Sequence, residues 1–317
     1  MKITIPGRLQ FIPNMLAAQK VTDASLEGKT CVITGATSGV GLAAARRIAR
    51  GGADIIVVAR SSRKAEELRS LIQSESGVSI DVIIADFADL DSVRKAAGAV
   101  LERCPEVHLL INSAGVFSTR RVVTPGGMEL AFCVNHLAPF LLTRLLLDRI
   151  IASAPARIIQ VNSQGHRFGG LRINDLNWQR RWYNGYLGYG ASKTAQLLTV
   201  WELADILKGT QVTINAMHPG GVKTNIGSNN GPLYRWWSRH VIWHFLKDPR
   251  ISGEAIYFLA AAPELSNASG RYFNRTVEEK PAPHALDREL GRAVWAATEE
   301  LVGLAASRKQ DGGIHAL

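Results

Sequence analysis

Tyr189-Gly190-Ala191-Ser192-Lys193 sets a phenol and an ammonium four positions apart, and on a helix two such side chains share one face. A lysine one turn from a phenol favours the phenolate electrostatically, lowering a pKa otherwise near ~10 and making the tyrosine an acid/base candidate at neutral pH. Upstream, Arg157-Ile158-Ile159-Gln160-Val161-Asn162-Ser163 reads as a strand that ends on a second hydroxyl. A Tyr–Lys pair by itself occurs by chance in many helices, so its weight depends on what else the chain carries.

The strongest companion is Thr34-Gly35-Ala36-Thr37-Ser38-Gly39-Val40-Gly41, a G-x-x-x-G-x-G turn between the β-branched run Thr30 to Thr34 and an alanine-rich helix. Glycines here let the backbone turn tightly and approach a pyrophosphate, whose charge is stabilised by the unpaired N–H groups of the helix start. Glycine-rich turns also serve loops without ligands; the position between strand and helix carries the cofactor reading. Where a second strand ends, an acidic residue would accept from the ribose 2′-hydroxyl of NAD, but this chain has Ala59 and Arg60, with Arg63 and Lys64 behind. Arg60 can pair with a 2′-phosphate, which favours NADP(H), whereas Arg63 and Lys64 read more readily as solvated helix-start cations. Asp86 and Phe87 end a third strand, and Asn112-Ser113-Ala114-Gly115 a fourth. Asp86 is placed to accept from an adenine amino group, and Asn112 to tie neighbouring strands together.

Short β-branched runs positioning these residues (Thr30 to Thr34, Ile55 to Ala59, Val82 to Ala85, Leu109 to Ile111, Ile158 to Val161, Val212 to Ala216) alternate with amphipathic stretches. The stretches are Leu42 to Arg50, Arg63 to Gln73, Asp91 to Arg103, Met128 to Ile151 and Ser192 to Leu207. That alternation predicts an α/β fold, a Rossmann-like, doubly wound parallel sheet in a single domain. Residues 1–28 read as an N-terminal extension to a domain over 29–317, with 229–248 and the tail after Arg271 as additions around its core.

Composition narrows the classes of function. The chain has 317 residues, 46% hydrophobic and 20% charged, which fits a globular protein with a full core rather than disorder or a fibrous repeat. Its formal net charge of +10 is spread along the chain with no dense basic tract, which argues for a solvated surface and against nucleic acid. Cys31, Cys104 and Cys133 lie far apart and the histidines show no ligand spacing, so neither disulfides nor a metal is expected, and a reducing cytoplasm is the natural setting. Pro6 and Pro13 interrupt the apolar N-terminus, and Arg144, Asp148 and Arg149 interrupt Phe140 to Ala152, so no transmembrane segment is expected.

Taken in order, the glycine turn, Asp86, Asn112-Ser113-Ala114-Gly115, Ser163 and the Tyr189/Lys193 pair resemble the short-chain dehydrogenase/reductase family over about Leu26 to Tyr272. The resemblance implies an NADP(H)-dependent oxidoreductase. In it Tyr189 exchanges the proton on the substrate oxygen, Lys193 lowers its pKa and holds the nicotinamide ribose, and Ser163 orients the substrate. Asn135, in Phe132-Cys133-Val134-Asn135-His136-Leu137, matches the helical Asn of the family's proton relay; a buried polar residue bonded only to backbone is the competing reading. Within His218-Pro219-Gly220-Gly221-Val222-Lys223-Thr224, the resemblance implies that Pro219 and Gly220 shape the turn beside the nicotinamide, that Val222 is also cofactor-binding and that Thr224 meets the carboxamide.

Two departures stand out: Ser113 replaces the family's usual second Asn, and Ser163 and Tyr189 are 26 positions apart, wider than in compact members. With the contexts around Asn135 and His218, the spacing is similar to the retinol-dehydrogenase-like branch. The same fold also serves reduction of carbon–carbon double bonds, and a third reading is a non-catalytic NADP(H)-sensing protein, whose expected decay of Ser, Tyr or Lys is absent. The family's pairing of long helices implies a homo-oligomer. Leu233, Trp236, Trp237, Val241 and Phe245 follow spacings of three and four, which predicts a lid over a bulky lipophilic carbonyl or alcohol. Core packing, a subunit contact and a peripheral membrane contact are the competing readings of that face.

Overall fold

The computed structural model describes residues 14, 17–223, 226–227, 230–231 and 246–305. The β-branched runs form β1 (Thr30–Thr34), β2 (Asp54–Ala59), β3 (Ile80–Ile84), β4 (Leu109–Asn112), β5 (Ala156–Val161) and β6 (Val212–His218). Except in the edge strand β3, their side chains are largely buried on both faces, as in a parallel sheet covered by helices on each side. Two further strands, β7 (Arg271–Asn274) and β8 (Val277–Glu278), complete one sheet of order β3-β2-β1-β4-β5-β6-β7-β8, parallel throughout except for β8. From β1 the chain winds outward to β2 and β3, then returns to place β4 on β1's other side. The crossovers leaving β1 and β4 diverge there, opening a crevice at the strands' carboxyl ends.

Seven helices cover the sheet among the described residues: α1 (Gly39–Arg50), α2 (Ser62–Ser76), α3 (Leu90–Arg103), α4 (Leu130–Ala152), α5 (Gly185–Ile206), α6 (Arg250–Ala261) and α7 (Arg288–Leu301). Their starts follow from capping chemistry. The side chains of Ser61, Asp89, Asn184 and Asp287 each accept from a backbone N–H in the first turn of α2, α3, α5 and α7. One apolar core lies between the sheet and α1, α2 and α6; another lies between the sheet and α3, α4, α5 and α7.

Two expectations change. The fifth crossover helix begins at Gly185 rather than Ser192 because Asn184 caps it, so Tyr189 is itself helical. The tail after Arg271 is part of the core rather than an addition around it: β7 pairs with β6, and α7 packs on α4 through Trp295 edge-on to Phe140 (4.9 Å) and Glu299 on Arg144 (2.6 Å). Leu130–Ala152 is long and apolar enough to cross a membrane by length and composition, but 83% of its most apolar window is buried inside the fold, where it serves as a core helix. The described part of the N-terminal extension is also tied to the domain: Tyr257 Oη donates to Ala24 O (2.7 Å) and Leu26 N to Gly51 O (2.7 Å).

Candidate active site

The glycine turn leads from β1 into α1. Gly35 has φ +69, and a Cβ there would lie 2.7 Å from the Ala114 backbone; a Cβ on Gly41 would lie 2.3 Å from Gly35 O. Only glycine lets the ends of β1 and β4 approach this closely. Ser38, the N-cap of α1, makes no side-chain cap bond, and the first turn carries no acidic residue. The N–H groups of Gly39 and Val40 thus form a helix start with no anion of its own, the chemistry that fits a pyrophosphate. Thr37 lies in the same turn, half-buried.

Around this cradle, Arg60 is exposed just past β2, while Arg63 pairs with Glu67 along α2. Asp86 Oδ1 accepts from Ala88 N (3.0 Å), and Phe87 is buried beside it. Thr34 Oγ1 accepts from Ser113 N and Ala114 N (both 3.0 Å), fixing the turn that carries Ala114 and Gly115. Asn112 Nδ2 donates to Thr143 Oγ1 of α4 (2.9 Å) and its Oδ1 has no partner among the described residues; its side chain ties β4 to a helix rather than to a neighbouring strand. Ser252 of α6 donates to Pro219 O (2.7 Å), Gly220 has φ +95, and Val222 is buried. Thr224 and most of the expected lid at 229–248 lie outside the described residues.

Ser163, Tyr189 and Lys193 come together at the carboxyl end of β5. Ser163 N donates to Asn162 Oδ1 (2.7 Å), its Oγ accepts from Gly165 N (3.0 Å), and the same hydroxyl lies near enough to the Tyr189 phenol to favour its ionised form. The short 3-10 turn Gln164–Phe168 brings Gly165 under that phenol, where a Cβ would lie 2.6 Å from the ring. Gln164 Nε2 (2.6 Å) and Arg167 Nη2 (2.8 Å) both donate to Glu279 beyond β8. Burial alone would raise the Glu279 pKa, but these bonds, with those from Asn274 and Asn14, hold it below the usual carboxylate range.

Lys193, 3% exposed, donates from Nζ to Val161 O (2.9 Å) and Gln196 Oε1 (3.4 Å), and its Nζ lies 5.9 Å from the Tyr189 ring centroid. Burial pushes Tyr189 up to about 12, against the influence of Ser163, and pushes Lys193 down to about 7. Desolvation is the largest influence on both groups, and a phenol pushed up to about 12 holds its proton at neutral pH.

Asn135 lies in a single π turn, Cys133–Leu137, within α4. Such wide turns are frequent at functional sites. Its side chain accepts from Val116 N (2.8 Å) and donates to Val116 O (3.0 Å) and Ser192 Oγ (3.0 Å), so it binds both backbone and a side chain. Its carbonyl accepts from Gln196 Nε2 (3.1 Å).

Gly165, Gln196 and an aromatic rim of Phe117, Phe168 and Tyr186 were not singled out from the sequence. Phe117 packs 5.9 Å from Tyr189 and 5.4 Å from Tyr186, which packs 5.7 Å from Phe168. Gln196 follows Lys193 at i+3, a helical spacing that could have flagged it. The rim comes from separate segments and left no local signal.

The family model described as short chain dehydrogenase matches residues 29–233. Retinol dehydrogenase 13 of Homo sapiens is 40% identical over 288 residues, covering 89% of this chain and 87% of that protein. The crystal structure of an uncharacterized protein from Mycobacterium Paratuberculosis superposes with a TM-score of 0.71 at 30% identity, covering 88% of this chain and 95% of its own. A blue fluorescent protein from a metagenomic library, solved in complex with NADPH, superposes with a TM-score of 0.62 at 27% identity, covering 79% and 96%.

Proposed function

The chain belongs to the short chain dehydrogenase family, a family of oxidoreductases, and from that premise we propose that it is an NADP(H)-dependent enzyme acting on the carbonyl or alcohol carbon of a bulky lipophilic substrate. The observation that carries this reading is the meeting of Ser163, Tyr189 and Lys193 at the end of β5, beside the glycine cradle. Gly35, Thr37, Ser38, Gly39, Val40 and Gly41 hold the pyrophosphate, and Lys193 the nicotinamide ribose. Asp86, Phe87, Asn112, Ala114 and Gly115 line the crevice, with Pro219, Gly220 and Val222 closing its far side, and Thr224 is proposed as the contact to the carboxamide from its place in the sequence. Exposed Arg60, with no carboxylate paired to it among the described residues, supports a 2′-phosphate. The similar protein solved with NADPH supports the same choice.

When bound, the cofactor supplies or takes the hydride. Ser163 Oγ holds the substrate oxygen, and Tyr189 gives that oxygen its proton as a carbonyl is reduced. A phenol pushed up to about 12 is protonated at neutral pH, the form donation requires. Lys193 stabilises the phenolate that remains, and Asn135 holds the loop after β4 against α5 behind it. Phe117, Phe168 and Tyr186 form an apolar mouth beside Tyr189, with Tyr186 56% and Phe168 52% exposed. Such walls reward large apolar substrates at roughly 25 cal/mol per Å² buried, and the name of the similar retinol dehydrogenase points to the same substrate class.

Loss of NADPH absorbance, measured over aldehydes and ketones of rising chain length with the products identified, tests the reading. An alcohol product and a kcat/KM that climbs with chain length are expected. A saturated carbon–carbon product would move the chain to the double-bond reductases, and no NADPH consumption with any carbonyl compound would refute the proposal.

A further inference from the structure

One turn beyond Lys193, Gln196 is 3% exposed, and both ends of its amide are engaged. Its Oε1 accepts from Asn162 Nδ2 (2.8 Å) and Lys193 Nζ (3.4 Å), and its Nε2 donates to Asn135 O (3.1 Å) and Gln160 Oε1 (3.2 Å). The orientation of a glutamine amide is an assignment from its partners, and here the partners leave one choice. Asn162 is itself fixed, because its Oδ1 accepts from Ser163 N and so its Nδ2 must face Gln196. An ammonium and an amide N–H₂ are donors only, so the group facing them is the oxygen. On the other side the Asn135 carbonyl is an acceptor only, so the group facing it is the N–H₂.

We propose that Gln196 is the positioning residue for Lys193, one fixed amide that ties the lysine on α5 to Asn135 on α4, to Gln160 on β5 and to Asn162 just beyond it. Lys193 carries three N–H donors; Val161 O and Gln196 Oε1 engage two from behind, directing the third toward Tyr189 and whatever binds beside it. The amide also sets how well the buried ammonium is tolerated. Burial is the cause of the lysine's depression to about 7, and no carboxylate, guanidinium or histidine contributes to it from β5, α4 or α5. The titratable neighbour is Tyr189, with its ring centroid 5.9 Å away. His136, next to Asn135 on α4, is pushed by burial to about 3 and is neutral at working pH. The Gln196 oxygen is therefore the side-chain acceptor that stabilises the charged form.

This deepens the dehydrogenase reading and rests on it for the lysine's role, but its test needs neither cofactor nor substrate. The pH midpoint of Lys193 is followed by NMR of lysine-labelled protein, with the resonance assigned by its loss in Lys193→Arg. Gln196→Leu removes the acceptor and should lower the midpoint by about one unit; Gln196→Glu adds an anion and should raise it by at least as much. If the side chain only filled space, both variants would admit water and both midpoints would rise toward the ordinary lysine value. That outcome, or no movement in either, overturns the proposal. Should one variant fail to fold, Gln160→Leu frees only the Nε2 side of the amide and lowers the midpoint by a smaller amount; an unmoved midpoint there is equally fatal. Failure of the protein to reduce any carbonyl would leave this titration unaffected, so the two readings fail separately.

Discussion

The two halves of the sheet carry their chemistry differently. On the β1–β3 side the site is backbone: Gly35 and Gly41 approach other main-chain atoms too closely for a Cβ, and the bare start of α1 presents N–H groups. On the β4–β7 side it is a buried side-chain network, in which Asn135, Gln160, Asn162, Lys193 and Gln196 bond one another from β5 and just beyond it, α4 and α5. The first half needs one contiguous loop to be right. The second needs several distant segments to pack correctly at once, so substitutions there should damage chemistry more than cofactor affinity, Lys193 excepted because it also holds the nicotinamide ribose.

Tyr189→Phe tests that division most sharply. It keeps the ring against Gly165 and Phe117 and removes only the transferable proton. Turnover should fall by about 10²–10⁴-fold with the NADP(H) Kd nearly unchanged. A variant keeping more than about a tenth of the wild-type kcat would mean that less than ~1.4 kcal/mol of transition-state stabilisation comes from the hydroxyl, ending its role as acid/base.

Acid should also separate the halves. Residues 1–107 contain no histidine, whereas burial pushes His136 to about 3, and His166 and His218 to about 4, in the other half. Each stays neutral in the folded protein while its unfolded counterpart takes up a proton below about pH 6.5. Unfolded chains then bind more protons than folded ones, so stability falls with pH from about 6.5 toward 4, by on the order of 1–2 kcal/mol for each histidine by pH 5. Hydrogen exchange at pH 7 and pH 5 should show protection lost in α4 and α5 before α1 and α2. Uniform loss, or a melting temperature flat over that range, would remove the distinction.

For the backbone half, Arg60→Ala should erase most of a preference for NADP(H) over NAD(H), since one charge-assisted contact contributes about 1.5–3 kcal/mol. Equal wild-type affinity for the two cofactors in a titration would contradict the assignment.

The smallest expected effect is that of Gly165→Ala, whose new Cβ would meet the Tyr189 ring at 2.6 Å. A ring shift should lower kcat by about tenfold and stability by roughly 1 kcal/mol, leaving cofactor binding intact. If cofactor affinity fell in step with kcat, the two halves would be more tightly coupled than this geometry implies.

The sequence by itself determined the parts whose signal is local. Six strands were legible because β-branched runs largely buried on both faces are contiguous in the chain. The glycine turn was legible because strand, turn and helix follow one another directly, and Ser163, Tyr189 and Lys193 because their residue types and order match a family. Tertiary structure alone decided the rest. It brought β7 and α7 into the core from a tail with no motif, since pairing with β6 and packing on α4 are long-range contacts. It set how much water reaches Lys193, whose burial depresses its pKa to about 7, because spacing reports proximity and not dielectric. And it assembled Gln196 with Asn135, Gln160 and Asn162, residues up to 61 positions apart that only the packing of α4 and α5 against β5 brings within hydrogen-bond reach.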